Sequence, residues 1–197
     1  MKLQSVNYVL IIFITVPIFC FGQNKLKSSS IDDFDLLIQK MENPTENEIF
    51  SLSNNELTHL IKTFKKEKTL IYTFGWWCGP CVEKFPEILS LKEKYNDKID
   101  LILLTAEKED SKYLYLTNFY FENKFDVHFP TFNLSIDLKD SRLKRYKAFI
   151  NRVVPGHIDY GYSLIILIDN NSESVLYAST YKETTENIFL KIEHILD

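Results

Sequence analysis

Residues 69–81 read Thr69-Leu70-Ile71-Tyr72-Thr73-Phe74-Gly75-Trp76-Trp77-Cys78-Gly79-Pro80-Cys81. The apolar first half predicts a strand from Thr69 to Phe74, and the second half sets two thiols three positions apart where that strand passes into a helix. The helix is expected to run from near Cys78 to about Tyr95 and to bury Phe85, Ile88 and Leu89; Asn96 and Asp97 then interrupt it. Ile99 to Thr105 is a nearly continuous apolar run, the pattern of a strand covered on both sheet faces. Strand, helix and strand make a right-handed parallel crossover by default. The two cysteines therefore belong at the carboxyl end of their strand, where open α/β sheets place their chemistry.

Outward from this unit, Phe34, Leu37, Ile38 and Met41 give one apolar face to a short helix ended by Pro44. Leu57, Leu60, Ile61 and Phe64 repeat the spacing after Ser53 and Asn54, two capping candidates. Downstream, Asp110 to Phe125 is expected to be an aromatic-rich helix with Tyr113, Leu116, Tyr120 and Phe121 inward and Tyr115 and Phe119 as extra apolar surface. Phe129 to Phe132 reads as extended and Asp140 to Asn151 as helical. Leu164 to Ile168 is a third core strand, and the turn Asp169-Asn170-Asn171-Ser172 leads to a weaker strand, Ser174 to Ala178, as an antiparallel hairpin at the sheet edge. Glu183 to Leu196 closes the chain as a helix burying Ile188, Ile192 and Ile195. With no internal repeat or long linker, residues 23–197 are expected to form a single domain with a helical N-terminal extension at about 31–53.

The apolar run Tyr8 to Phe21 follows Lys2 and gives way to Gly22 and the polar Gln23-Asn24-Lys25, so residues 1–22 read as a signal peptide. Its removal takes Cys20 away and leaves Cys78 and Cys81 as the only cysteines. That excludes a multi-disulfide scaffold. A net charge of −4, with lysines interspersed among carboxylates, excludes nucleic acid as a partner. The basic stretch Arg142-Leu143-Lys144-Arg145-Tyr146-Lys147 reads as the wet face of a helix, the alternative being a patch for an acidic partner or a membrane surface. Zinc would need two further ligands, and His59, His128, His157 and His194 are scattered without ligand spacing, so no metal or cofactor is expected.

A thiolate, not a thiol, is the nucleophile, and the unpaired N–H groups of a helix start favour the anion. Cys78, at the exposed start, is expected to attack, and Cys81, one turn inside, to resolve. Gly79 leaves little bulk over the sulfur, and Pro80 fits a first turn whose N–H would be unpaired anyway. Exchange would cross a mixed disulfide in either direction. Trp76 and Trp77 are large flat surfaces beside the pair, open to roles as core, shield or substrate contact.

The run Phe74 to Cys81, with Phe85-Pro86, Phe129-Pro130 and the late strand Leu164 to Asn170, resembles the thioredoxin-fold superfamily and, within it, the exported TlpA-like thiol-disulfide oxidoreductases of Bacteroidota. The likeness covers about Asn54 to Leu196. It implies a thioredoxin-like three-layer α/β fold, a central mixed sheet with a C-terminal antiparallel hairpin, flanked by helices. It also implies exchange with protein thiols or disulfides, an upstream redox partner, and a place in the periplasm of a Gram-negative bacterium, soluble or in peripheral contact with a membrane. The chain departs from the family pattern twice. A glutamate common three residues after the second cysteine is replaced by Lys84, and the cis-proline that faces the dithiol is replaced by Ser163, after Tyr162. A trans bond is expected at Tyr162-Ser163, with one of these two residues opposite the sulfurs; Pro155 is eight positions too early. The alternative use of such a scaffold is a binding or assembly module with little or no turnover.

Overall fold

Alternation along one strand sets the two layers around it. In the computed structural model, which describes residues 28–45, 47–125, 128–134, 141–159 and 161–197, β2 (Lys68–Thr73) sends Leu70 and Tyr72 to one face of the sheet and Ile71 to the other. The expected signal segment lies outside the described residues. Below Leu70 and Tyr72 pack α3 (Gly79–Lys94), α6 (Thr185–Leu196) and Phe121 of α4 (Lys112–Phe125). Below Ile71 pack α1 (Phe34–Glu42), α2 (Asn54–Thr63) and α5 (Arg142–Val153). Strands alternate by two residues, so one sequence supplies both cores.

The sheet has the order β1-β4-β3-β2-β5-β6. Here β1 is Ile49–Leu52, β3 Ile99–Thr105, β4 Thr131–Leu134, β5 Ile165–Asp169 and β6 Ser174–Ala178. β1, β4, β3 and β2 run parallel, while β5 is antiparallel to β2 and β6 to β5. This is the expected mixed sheet with its terminal hairpin and the expected parallel β2-α3-β3 unit. β2 lies between β3 and β5, buried from Thr69 onward.

Local signals explain the helix starts. Ser53 accepts from the Glu56 N–H while Glu56 Oε2 takes the Ser53 N–H, a complete capping box. Asp33 and Thr184 cap α1 and α6 in the same way with one side-chain bond each.

Three expectations need correction. The N-terminal extension is not only helical: Ile49–Leu52 forms β1, paired in register with Thr131–Leu134, and Phe50 and Leu52 join the core cluster under that side of the sheet. On α4 the buried residues are Leu114, Thr117 and Phe121, and Tyr113 is exposed, so the inward face is rotated from the one expected. Leu91 and Leu196, not Leu89 and Ile195, complete the buried rows of α3 and α6. No helix among the described residues is long and apolar enough to cross a membrane.

Candidate active site

Cys78 is the N-cap of α3, with extended backbone, and its Sγ accepts the Cys81 N–H at 3.3 Å. The helix begins there because Gly75 O takes the Cys78 N–H, closing a turn out of β2, and because Pro80 needs no amide partner in the first turn. Cys78 and Cys81 are joined as a disulfide with Cα atoms 5.2 Å apart. Cys81 is fully buried. Cys78 is only 9% exposed, so the expected exposed start is a narrow opening flanked by exposed Gly79 and Pro80.

Beneath the pair lies Tyr72, whose hydroxyl donates to the Cys81 carbonyl at 2.7 Å and stands 3.3 Å from Ser163 Oγ. Burial pushes this phenol well above its usual range, so it remains a donor. Ser163 Oγ also reaches the Pro80 carbonyl at 3.4 Å. Ser163 therefore stands over the first turn of α3, where counting back from Asp169 places it, and no cis peptide occurs among the described residues. Two features of Ser163 were not foreseen. Its φ is 73°, and its N–H is spent on Thr73 O at 3.0 Å. The loop is held further by Leu164 N–H on Thr73 Oγ1 and by the Tyr146 hydroxyl on Gly161 O, both at 2.8–2.9 Å.

Trp76 and Trp77 part company. Trp76 packs half-buried against the α3 layer and stacks with Tyr113 of α4. Trp77, 37% exposed, folds back over its own turn: a Cβ on Gly75 would meet the indole at 3.0 Å. The Trp77 Nε1–H donates to Glu107 Oε1 at 2.8 Å, Tyr162 meets the ring edge-on at 5.1 Å, and the Arg142 guanidinium lies 4.2 Å from its centre. Tyr162 stacks in turn on Tyr146, and burial raises its phenol pKa, with Glu107 adding to the rise.

Glu107 follows β3 and is 2% exposed. Asn133 of β4 donates to its carbonyl, and Arg145 of α5 donates to Ala106 O at 2.8 Å. The basic stretch is thus not simply a wet face: Arg145 is buried and Arg142 covers Trp77, because the first turn of α5 abuts the end of β3. Glu107 escaped the sequence reading, as did the site roles of Tyr72, Gly75 and Arg142, the last named only within the basic stretch. The usable signal was Glu107, a carboxylate two residues past a nearly continuous apolar strand, at the carboxyl end where the cysteines also lie.

Lys84, one turn beyond Cys81, is half-buried, and burial lowers its pKa against the opposing pull of Asp159, Glu183 and Glu87. Asp159 also accepts from the Tyr181 N–H, tying the Ser163 loop to the segment after β6.

No family model matches the chain. Over 87 residues it is 30% identical to the proteins named thiol-disulfide oxidoreductase ResA of Bacillus thuringiensis and Bacillus cereus, which takes in 44% of this chain and 46% of each relative. The chain thus spans about half the length of the curated relatives it matches. Among solved structures it is similar to a thioredoxin-like protein in its oxidised form, with TM-score 0.49 and 16% identity over 68% of this chain and 80% of that one. It is also similar to a putative thiol-disulfide oxidoreductase of Bacteroides vulgatus, with TM-score 0.45 and 19% identity over 69% and 78% of the two chains. For StoA of Bacillus subtilis the figures are 0.43 and 15%, over 64% and 82%.

Proposed function

We propose that the chain is an exported thiol-disulfide oxidoreductase of the thioredoxin-fold superfamily whose Cys78–Cys81 pair exchanges disulfides with other proteins. The observation that carries this reading is the disulfide at the head of α3, with Cys78 at the N-cap, 9% exposed between the exposed Gly79 and Pro80 and the half-buried Trp76, and Cys81 sealed beneath it. A buried structural staple has no need of that asymmetry. It spans too short a loop to restrain the unfolded chain much. The name carried by the relatives, matched over 87 residues, agrees with the reading.

In the reducing direction the Cys78 thiolate attacks one sulfur of a substrate disulfide, expelling the other as a thiolate and forming a Cys78-substrate bond. Cys81, as thiolate, then attacks Cys78 Sγ, releases the second substrate sulfur and closes the Cys78–Cys81 disulfide. Two electrons pass to the substrate, and solvent protons complete its thiols. The oxidising direction crosses the same intermediate in reverse. The helix start stabilises the Cys78 anion, and Tyr72 and Ser163 hold the backbone of Pro80 and Cys81 in place while the sulfurs part. Lys84 is assigned to tuning this environment through the carboxylates around it. The signal-like residues 1–22 support export to the periplasm.

The test is to equilibrate the purified protein in glutathione buffers of graded potential and, separately, to trap partners with Cys81→Ser. Reversible two-electron cycling and mixed disulfides that vanish in Cys78→Ser/Cys81→Ser are expected. A pair that neither cycles nor traps overturns the reading.

A further inference from the structure

Resting on the oxidoreductase reading, we propose that Arg142, laid over Trp77 beside Cys78, binds a carboxylate of the partner chain and so favours substrates with an acidic residue next to the exchanging cysteine.

The indole is fixed on every side that matters: Gly75 lies against it, Glu107 takes its N–H, Tyr162 meets its edge and Arg142 covers its face. Arg142 is not consumed by this arrangement. Of its five N–H donors, only Nη1 approaches Glu107, at 3.4 Å from both oxygens, while the shorter bond to that carboxylate belongs to Trp77. Exposure divides the pair unevenly: the Arg142 side chain is 40% exposed and Glu107 2%. A charge arriving from solvent meets the cation first.

Stacking on the ring holds the guanidinium plane still, so less rotamer freedom is lost when its remaining edge forms paired bonds to a carboxylate. Trp77, whose ring the guanidinium covers, directly precedes Cys78 in the chain. Trp76 repeats the chemistry, with Lys112 Nζ 5.3 Å from the Tyr113 ring that stacks on it. Each of the two tryptophans preceding Cys78 thus has a cation on its own ring or on the ring stacked against it. The acidic groups Asp159, Glu183 and Glu87 gather instead around Lys84.

The test uses the reduced full-length protein and three synthetic peptide disulfides that differ only in the residue beside the cysteine: Asp, Asn or Lys. Second-order rates are divided by the rate of the same variant with bis(2-hydroxyethyl) disulfide, an uncharged reference. The wild type is expected to react about fivefold to tenfold faster with the Asp than with the Lys peptide, equivalent to about 1.0–1.4 kcal/mol, with added salt narrowing the gap. Arg142→Gln should erase the ordering, Arg142→Lys keep part of it, and Lys144→Gln leave it as in the wild type. No ordering in the wild type, or an ordering that survives Arg142→Gln, overturns the proposal. Failure of the wild type to react with the uncharged disulfide strikes instead at the oxidoreductase reading.

Discussion

Ser163 holds a left-handed backbone, φ 73°, directly over the first turn of α3, with its N–H committed to Thr73. A side-chain-bearing residue in that region costs on the order of 1–2 kcal/mol, which the clamp formed by Thr73 and Tyr146 must outweigh. Restoring a proline here is therefore not a simple return to the family pattern. Proline fixes φ near −65° and removes the donor. Ser163→Pro is expected to lower stability by about 3 kcal/mol or more in urea unfolding. Stability equal to the wild type would mean that the loop accepts a different path past the dithiol. The position of Ser163 was legible because strand and turn residues downstream give a fixed count. Its φ was not, since nothing local to Gly161-Tyr162-Ser163 demands it; the demand comes from Thr73, 90 residues earlier in the chain.

The element that matters most to the site is α3, and its anchor is Phe85. This ring is fully buried among Tyr72, Phe74, Phe121 and Phe125, with centroids 4.7–6.3 Å away. Pro86 follows it and withholds one N–H from the helix ladder, so packing at Phe85 carries more of the burden of holding the helix. Phe85→Ala is expected to cost about 3–5 kcal/mol in denaturant unfolding. A loss below about 1 kcal/mol would mean that the layer refills the space. The helices and the strands β2, β3 and β5 were legible because their apolar spacing is long and regular. β1 was not: four residues carry little periodicity, and the partner that makes them a strand is β4, some eighty positions later. On α4, aromatic residues on both sides blurred the inward face, and the small Thr117 gave no sign that it marks the packed row. Cys78 and Cys81 announce themselves in four residues. Arg142 and Glu107 stand 35 positions apart and meet only because α5 begins where β3 ends.

For the molecule as a whole, Lys92 ties stability to pH. Its Nζ donates to Ile99 O at 3.2 Å and to Asn96 Oδ1, in a half-buried corner shared with the Lys66–Asp100 ion pair. Burial, and the neighbouring Lys66 after it, push its pKa down to about 8. An unfolded lysine titrates near 10.4. Between these values the unfolded chain binds more protons than the folded one, so this group makes stability rise with pH. Urea unfolding at pH 7.5 and 9.5 should therefore show the wild type gaining on Lys92→Met at the higher pH; an unchanged difference would remove Lys92 as the cause. The sheet's far edge has another bearing on the molecule's behaviour. Ser29 bonds to Ile49 and Ser51 along the outer side of β1, which itself covers β4. A chain trimmed to start at Asn54 keeps the cysteines and both tryptophans but bares a strand whose four residues are all buried in the full-length protein. Open edges recruit strands from other molecules. Light scattering should find concentration-dependent clumping of the trimmed chain that the full chain lacks, and equal scattering would dismiss the point: residues 28–53 serve as the protein's guard against sticking to itself.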